Sequence, residues 1–271
     1  MELARRTVLV TGAGSGIGRA IALRIAQDQA AIVICVDKNP ATAAETSERI
    51  AASGVESYSI AIDLADEVAI DMLAKIVLEK HGVIDVLVSN AGVSFEGGLD
   101  TPESGWTTSW DVNLMAQVRL ARLLVPSMIA NGGGYVVNTA SAAGLLTSLG
   151  ALSYAVTKHA SVAFSEWLAI THRPDNIRVS ALCPMGVRTK MLFPERDDGQ
   201  ASARLAQSAV LESGELLEPE QVANRVVEAI NSEEFLILPH PQVHDFYTFR
   251  ANNTAKWIAS MAKYRERLVA E

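Results

Sequence analysis

Tyr154 and Lys158 stand four residues apart in a run, Ser153 to His172, whose apolar pattern reads as a helix, so both project from one face. A phenol beside an ammonium can take a proton from, or return one to, an alcohol oxygen. A tyrosine with a pKa near ~10 is a poor base at neutral pH, and bringing it to about 7 needs roughly 4 kcal/mol of preference for the phenolate. An ammonium ~4 Å away contributes on that order at an effective dielectric of ~20. Ser141, thirteen residues before Tyr154, follows a strand-like run, and Asn113 lies in the preceding long helical stretch. Each also has an ordinary reading: Tyr–Lys at this spacing is common on helix surfaces, and a serine after a strand is commonly a cap.

A second constellation lies at the front of the chain. The strand-like run Thr7 to Thr11 leads into Gly12-Ala13-Gly14-Ser15-Gly16-Ile17-Gly18, and a helix pattern begins at once. Glycines at a strand-to-helix turn admit positive φ and let backbone approach a bulky anion. N–H groups at the helix start, with the helix dipole, then favour a pyrophosphate. The commoner G-x-G-x-x-G spacing fails, because Ile17 occupies its last place. Asp37, 19 residues past Gly18, closes the second strand-like run. An acid there accepts hydrogen bonds from both adenosine ribose hydroxyls and repels a 2′-phosphate, which favours NAD over NADP. No Arg or Lys occupies the glycine turn, although Lys38 follows the acid.

These residues need a scaffold, and the rest of the chain supplies one. Strand-like runs occur at Thr7–Thr11, Ala31–Val36, Ser57–Ile62, Val86–Ser89, Tyr135–Thr139, Ile177–Cys183 and Phe235–Leu238. Several are apolar without alternation, as expected of strands covered on both faces. Between them lie helical patterns at Gly18–Gln29, Pro40–Ser53, Glu67–His81, Ser104–Asn131, Ser153–His172 and Pro219–Asn231. The alternation predicts parallel βαβ units with right-handed crossovers, hence one α/β domain over residues 1–271. The polar stretch Lys190 to Glu218 interrupts the pattern and reads as a substrate lid. Residues 240–271 form a C-terminal extension, read as a helix or as an arm reaching a ligand or another subunit.

The chain has 271 residues, a net charge of −8, 49% apolar residues and two cysteines. Its size permits a large core without disulfide or metal. The acidic balance counts against nucleic-acid binding and weakly against attachment to anionic membrane. Cys35 and Cys183 sit in separate apolar runs and read as buried thiols in a reducing compartment. No apolar stretch reaches the ~18 residues of a membrane helix, and no signal peptide is evident, so a soluble, cytoplasmic protein is expected.

Taken together the motifs resemble the short-chain dehydrogenase/reductase family over about residues 7 to 240. The matching pieces are T-G-x-x-x-G-I-G at Thr11 to Gly18, Asp37, Asp63-Leu64, Asn90-Ala91-Gly92, Asn113, Ser141 and Y-x-x-x-K at Tyr154 to Lys158. The resemblance implies a Rossmann-type, doubly wound seven-stranded sheet and nicotinamide-dependent alcohol/carbonyl interconversion. It makes Tyr154 the acid/base, with Ser141 holding the substrate oxygen, Asn113 positioning a water in a proton relay, and Lys158 also bonding the nicotinamide ribose. The implied NAD contacts are Gly12, Ser15, Gly16, Ile17, Gly18, Asp37, Asp63, Leu64, Asn90, Ala91, Gly92, Tyr154, Lys158, Val187 and Thr189. Two places depart from the family pattern: Met185 stands where Gly is expected after Pro184, and Ser89 where Asn often precedes Asn90.

The residues expected around the substrate are mainly apolar: Val93, Phe95, Leu145, Leu146, Leu149, Met185 and the stretch Lys190 to Phe193. They suggest a hydrophobic secondary alcohol or ketone. Family members are usually dimers or tetramers pairing two long helices, here Ser104–Asn131 and Ser153–His172, which makes a homodimer or homotetramer the expectation. His240 and His244 have metal-like spacing but no third ligand, and read as surface or structural residues. Three rival readings share these motifs: an NADPH-type ketoacyl reductase, which Asp37 disfavours; a non-catalytic NAD-binding scaffold; and an epimerase or dehydratase, in which NADH would not accumulate.

Overall fold

The structure, a computed structural model, describes residues 1–194 and 201–270. Seven strands form one all-parallel sheet: β1 (Thr7–Thr11), β2 (Ile32–Asp37), β3 (Glu56–Ala61), β4 (Val86–Ser89), β5 (Gly134–Thr139), β6 (Ile177–Leu182) and β7 (Leu236–Ile237). Their spatial order is β3-β2-β1-β4-β5-β6-β7. Strand order therefore reverses between β1 and β4, which opens a crevice beyond the carboxyl ends of these strands.

Ten α-helices accompany the strands in the described residues: α1 (Gly16–Gln27), α2 (Pro40–Ala52), α3 (Glu67–His81), α4 (Glu103–Trp110), α5 (Ala116–Ala130), α6 (Leu152–Thr171), α7 (Ala201–Glu212), α8 (Pro219–Ser232), α9 (Gln242–Asn252) and α10 (Thr254–Ala270). Helices α1, α2 and α8 cover one face of the sheet, burying Ile21, Ile25, Ile50 and Val226 against Val8, Val10, Val33 and Val88. Helices α3, α5 and α6 cover the other, where Leu73, Leu120, Leu124 and Leu168 meet Leu9, Ile34, Leu87 and Val136. A central strand such as Val8-Leu9-Val10 is apolar throughout because its alternate side chains feed two different cores.

Local signals set the boundaries. Asn39 caps α2 by accepting from the Ala41 and Thr42 N–H groups, and Asp66 caps α3 through Val68 and Ala69. Most elements lie within one or two residues of the ranges read from sequence. The stretch Ser104–Asn131 differs: it is α4, a π-helical turn at Asp111–Met115, and then α5. A side-chain clasp around Asn113 accompanies that bulge, and a uniform 3.6-residue pattern does not reveal it. The polar stretch 190–218 contains α7, and the part of it between 195 and 200 lies outside the described residues. The C-terminal extension is two helices, breaking at Asn253, whose N–H returns to the Phe249 carbonyl. Among the described residues no helix is long and apolar enough to cross a membrane. Cys35 and Cys183 are both buried and unbridged.

Candidate active site

The glycine turn sits at the crevice. Gly12 has φ +66°, and a Cβ there would lie 3.0 Å from the Ala91 Cα, so both the conformation and the close approach of β4 require glycine. Gly14 donates its N–H to Asp37 Oδ2 at 2.9 Å, while the Asn39 N–H donates to Asp37 Oδ1 at 3.0 Å. These two backbone donors fix the carboxylate at the tip of β2, and a Cβ on Gly14 would fall 2.8 Å from its carbon. The turn is thus moulded around the acid.

Asn90 ties the other side together. Its Nδ2 donates to the Thr11 carbonyl at 3.1 Å, its Oδ1 accepts from Thr139 Oγ1 at 3.2 Å, and the Thr11 hydroxyl receives the Asn90 and Ala91 N–H groups. The ends of β1, β4 and β5 are therefore held by three side chains. Asp63 is exposed and accepts the Ala65 N–H, with buried Leu64 beside it.

Lys158 and Tyr154 come from the first turns of α6. The Lys158 side chain is almost wholly buried (2% exposed) and its Nζ donates to the Thr139 carbonyl at 2.7 Å, 5.6 Å from the Tyr154 ring centre. Ser141 closes the group: it donates to the Pro184 carbonyl at 3.4 Å, accepts the Ala143 N–H, and its hydroxyl acts on the Tyr154 phenol. Ser141, Tyr154 and Lys158 converge on one cavity of about 920 Å³.

Electrostatics here run against the simplest expectation. Burial raises the Tyr154 phenol above its ordinary value, only partly opposed by the Ser141 hydroxyl, with Cys183 adding to the rise. Burial also pulls the Lys158 ammonium down to about 8. At 5.6 Å the ammonium is worth about 3 kcal/mol to a phenolate at an effective dielectric of ~20, which does not outweigh the desolvation of the phenol. The protein alone therefore does not loosen the phenol. Cys183, behind the pair, is pushed up to about 12 by burial and stays a neutral thiol.

The same cavity runs along the glycine turn. It is lined by Gly12, Ser15, Gly16, Ile17, Asp37, Asp63, Leu64, Asn90, Ala91, Gly92, Val187 and Thr189 as well as by Tyr154 and Lys158. Two residues assigned from sequence are not on its wall. Gly18 faces the Gly12 carbonyl and Asn90, and its lack of a side chain permits this close packing. Asn113 is fully buried behind the wall: its Oδ1 accepts the Val93 N–H at 2.8 Å, and its Nδ2 donates to the Val93 carbonyl and to Thr157 Oγ1. Its amide is occupied in holding the loop after β4.

One set of contacts escaped the sequence reading. Ser109, Asn113 and Gln117 meet Ser153, Thr157 and Ser161 in order, and Asn138 donates to Ser165, so a buried polar seam locks α6 beside α4, the π-turn and α5. Its signal is a hydroxyl residue at every fourth place from Ser153 to Ser165. In the C-terminal extension, read from sequence as a helix or an arm, Trp257, Met261 and Tyr264 bring α10 to the cavity wall; their spacing of four and three is a helical stripe. Tyr264 also donates to the Ala209 carbonyl, and Arg267 pairs with Glu212, so α10 is fastened to α7.

A family model described as short chain dehydrogenase matches residues 6–200. The chain belongs to the short-chain dehydrogenase family. Among curated relatives of this family, meso-2,3-butanediol dehydrogenase from Serratia marcescens is 34% identical over 228 residues, 82% of this chain and 86% of that protein. Probable oxidoreductase EphD from Mycobacterium tuberculosis is 31% identical over 248 residues, 89% of this chain, and the chain spans only 42% of that relative's length. Among solved structures, a short-chain dehydrogenase/reductase from Burkholderia phymatum in complex with NAD superposes with a TM-score of 0.85 at 30% identity, covering 94% of this chain and 96% of that one. This short-chain dehydrogenase is accordingly an oxidoreductase of CH–OH groups that works with a nicotinamide dinucleotide. The residues present fit such a group: the glycine turn leaves backbone N–H groups bare of side chains, and Asp37 offers two fixed oxygens at the crevice.

Proposed function

We propose that the protein is an NAD-dependent oxidoreductase interconverting a hydrophobic secondary alcohol and its ketone, with Tyr154 as the acid/base. The observation that carries this reading is the convergence of Ser141, Tyr154 and Lys158 on the cavity that also receives Asp37. NAD is preferred to NADP because the Asp37 carboxylate, held in place by two backbone N–H groups, accepts from ribose hydroxyls and repels a phosphate there. Gly12, Ser15, Gly16 and Ile17 would hold the pyrophosphate, Asp63 and Leu64 the adenine side, and Val187 and Thr189 the carboxamide end. When bound, the oxidised nicotinamide ring supplies the hydride acceptor and a positive charge beside the phenol.

Ser141 Oγ holds the substrate oxygen, and Tyr154 Oη takes its proton. Lys158, cationic at pH 7, favours the phenolate and offsets part of its burial cost. In ketone reduction the same Oη returns the proton. Leu146, Leu149, Met185, Phe246, Trp257 and Met261 give the substrate end an apolar lining, which supports a hydrophobic alcohol. Within the stretch read from sequence as a lid, the described residues 190–194 and helix α7 lie along that end of the cavity and would cover it.

Trp110, Val156, Trp167 and Ile170 leave apolar surface exposed on α4 and α6, which supports a homodimer or homotetramer. A monomer mass by light scattering at micromolar concentration would overturn the oligomer. The function itself is tested by a panel of secondary alcohols with NAD⁺ and NADP⁺ in parallel, following the rise of reduced coenzyme. The expected result is turnover of apolar alcohols, faster with NAD⁺; no accumulation of NADH with any alcohol would refute it.

A further inference from the structure

His240 lies between β7 and α9, with only 1% of its surface exposed. Its Nδ1 accepts the Met185 N–H at 3.1 Å, and its Nε2 donates to the Gly186 carbonyl at 3.0 Å. An amide N–H only donates and a carbonyl only accepts, so these partners assign the neutral tautomer with its proton on Nε2. The gripped segment is one step from the chemistry. The Pro184 carbonyl accepts from Ser141 Oγ and the Ala142 N–H, and the Gly186 carbonyl also accepts the Leu217 N–H at the foot of the lid. Val187 and Thr189, on the cavity wall, follow directly.

We propose that His240 is a positioning residue that clamps the loop Pro184–Gly186, and through it Ser141 and the nicotinamide end of the cavity. The proposal rests on the functional reading above, and it explains how Met185 is tolerated where the family pattern has glycine: the backbone path there is fixed from below by an imidazole. Burial holds the His240 ring below its ordinary value, opposed by the Gly186 and Glu215 backbone and by the Glu215 carboxylate, the charged group acting on it. Protonation puts Nδ1–H against the Met185 N–H, donor against donor. Acid therefore opens the clamp.

The test measures hydrogen exchange across Met185–Val187 and NADH affinity from pH 5.5 to 8 in wild type, His240→Gln and His240→Asn. Glutamine keeps a donor near the Nε2 place and loses the acceptor; asparagine keeps an acceptor near the Nδ1 place. Loss of one hydrogen bond to a buried amide is a roughly tenfold effect. Expected are about tenfold faster exchange at Met185 and about tenfold weaker NADH binding in His240→Gln. His240→Asn should stay within about threefold of wild type. Equal behaviour of the two variants would overturn the clamp. Wild type that binds no NADH overturns the functional reading instead, whereas intact binding with unchanged Met185 exchange in His240→Gln overturns the clamp alone.

Discussion

Replacing Lys158 by Met removes the ammonium while keeping an unbranched, buried chain. The ammonium lies 5.6 Å from the Tyr154 ring centre, so at an effective dielectric of ~20 its loss withdraws about 3 kcal/mol of support for the phenolate. At 1.36 kcal/mol per unit, that moves the phenol's titration up by about 2 pH units. The assay is the initial rate of alcohol oxidation with saturating NAD⁺ from pH 6 to 11. The variant's rising limb should shift to higher pH by at most that amount. Because burial brings Lys158 itself to about 8, the wild-type advantage should be greatest below pH 8 and shrink as the ammonium loses its proton. A rising limb at the wild-type position, with NADH binding intact, would refute the electrostatic role of Lys158. Loss of the bond to the Thr139 carbonyl is controlled by the melting temperature, which reports structural damage separately.

Asp37→Ala, paired with an Arg at Lys38, should shift the kcat/KM ratio towards NADP⁺ by tenfold or more, and an unchanged ratio would remove Asp37 from the coenzyme site. Asn113→Ala strands the half-buried Val93 N–H and carbonyl, at a cost of about 2 kcal/mol. For a chain of this size that lowers Tm by roughly 4–8 °C, read by calorimetry.

Much of this architecture is written in short-range chemistry. Strands covered on both faces show as unbroken apolar runs such as Thr7–Thr11, and Asn39 and Asp66 announce their helices because capping is local. Asp37 was legible for the same reason: its place is set by the strand that ends there. What escaped depends on residues far apart in the chain. Asn113 is held by Val93 and Thr157, and the π-turn that carries it has no period of its own to detect. At Gly18 the lack of a side chain also serves the packing of α1 against Gly12 and Asn90, which spacing in the motif does not reveal. The direction of the Tyr154 shift was also hidden, since spacing reveals the neighbouring ammonium and says nothing about burial. Helix α10 reaches the cavity only through the bend at Asn253.

The most direct measurement is Tyr154→Phe, assayed for alcohol turnover and, separately, for NADH binding. The phenyl ring keeps the packing and removes only the proton-carrying oxygen. A kcat far below a tenth of wild type with NADH affinity preserved is the expected result; a variant retaining more than a tenth of wild-type kcat would contradict the assignment of proton transfer to this phenol.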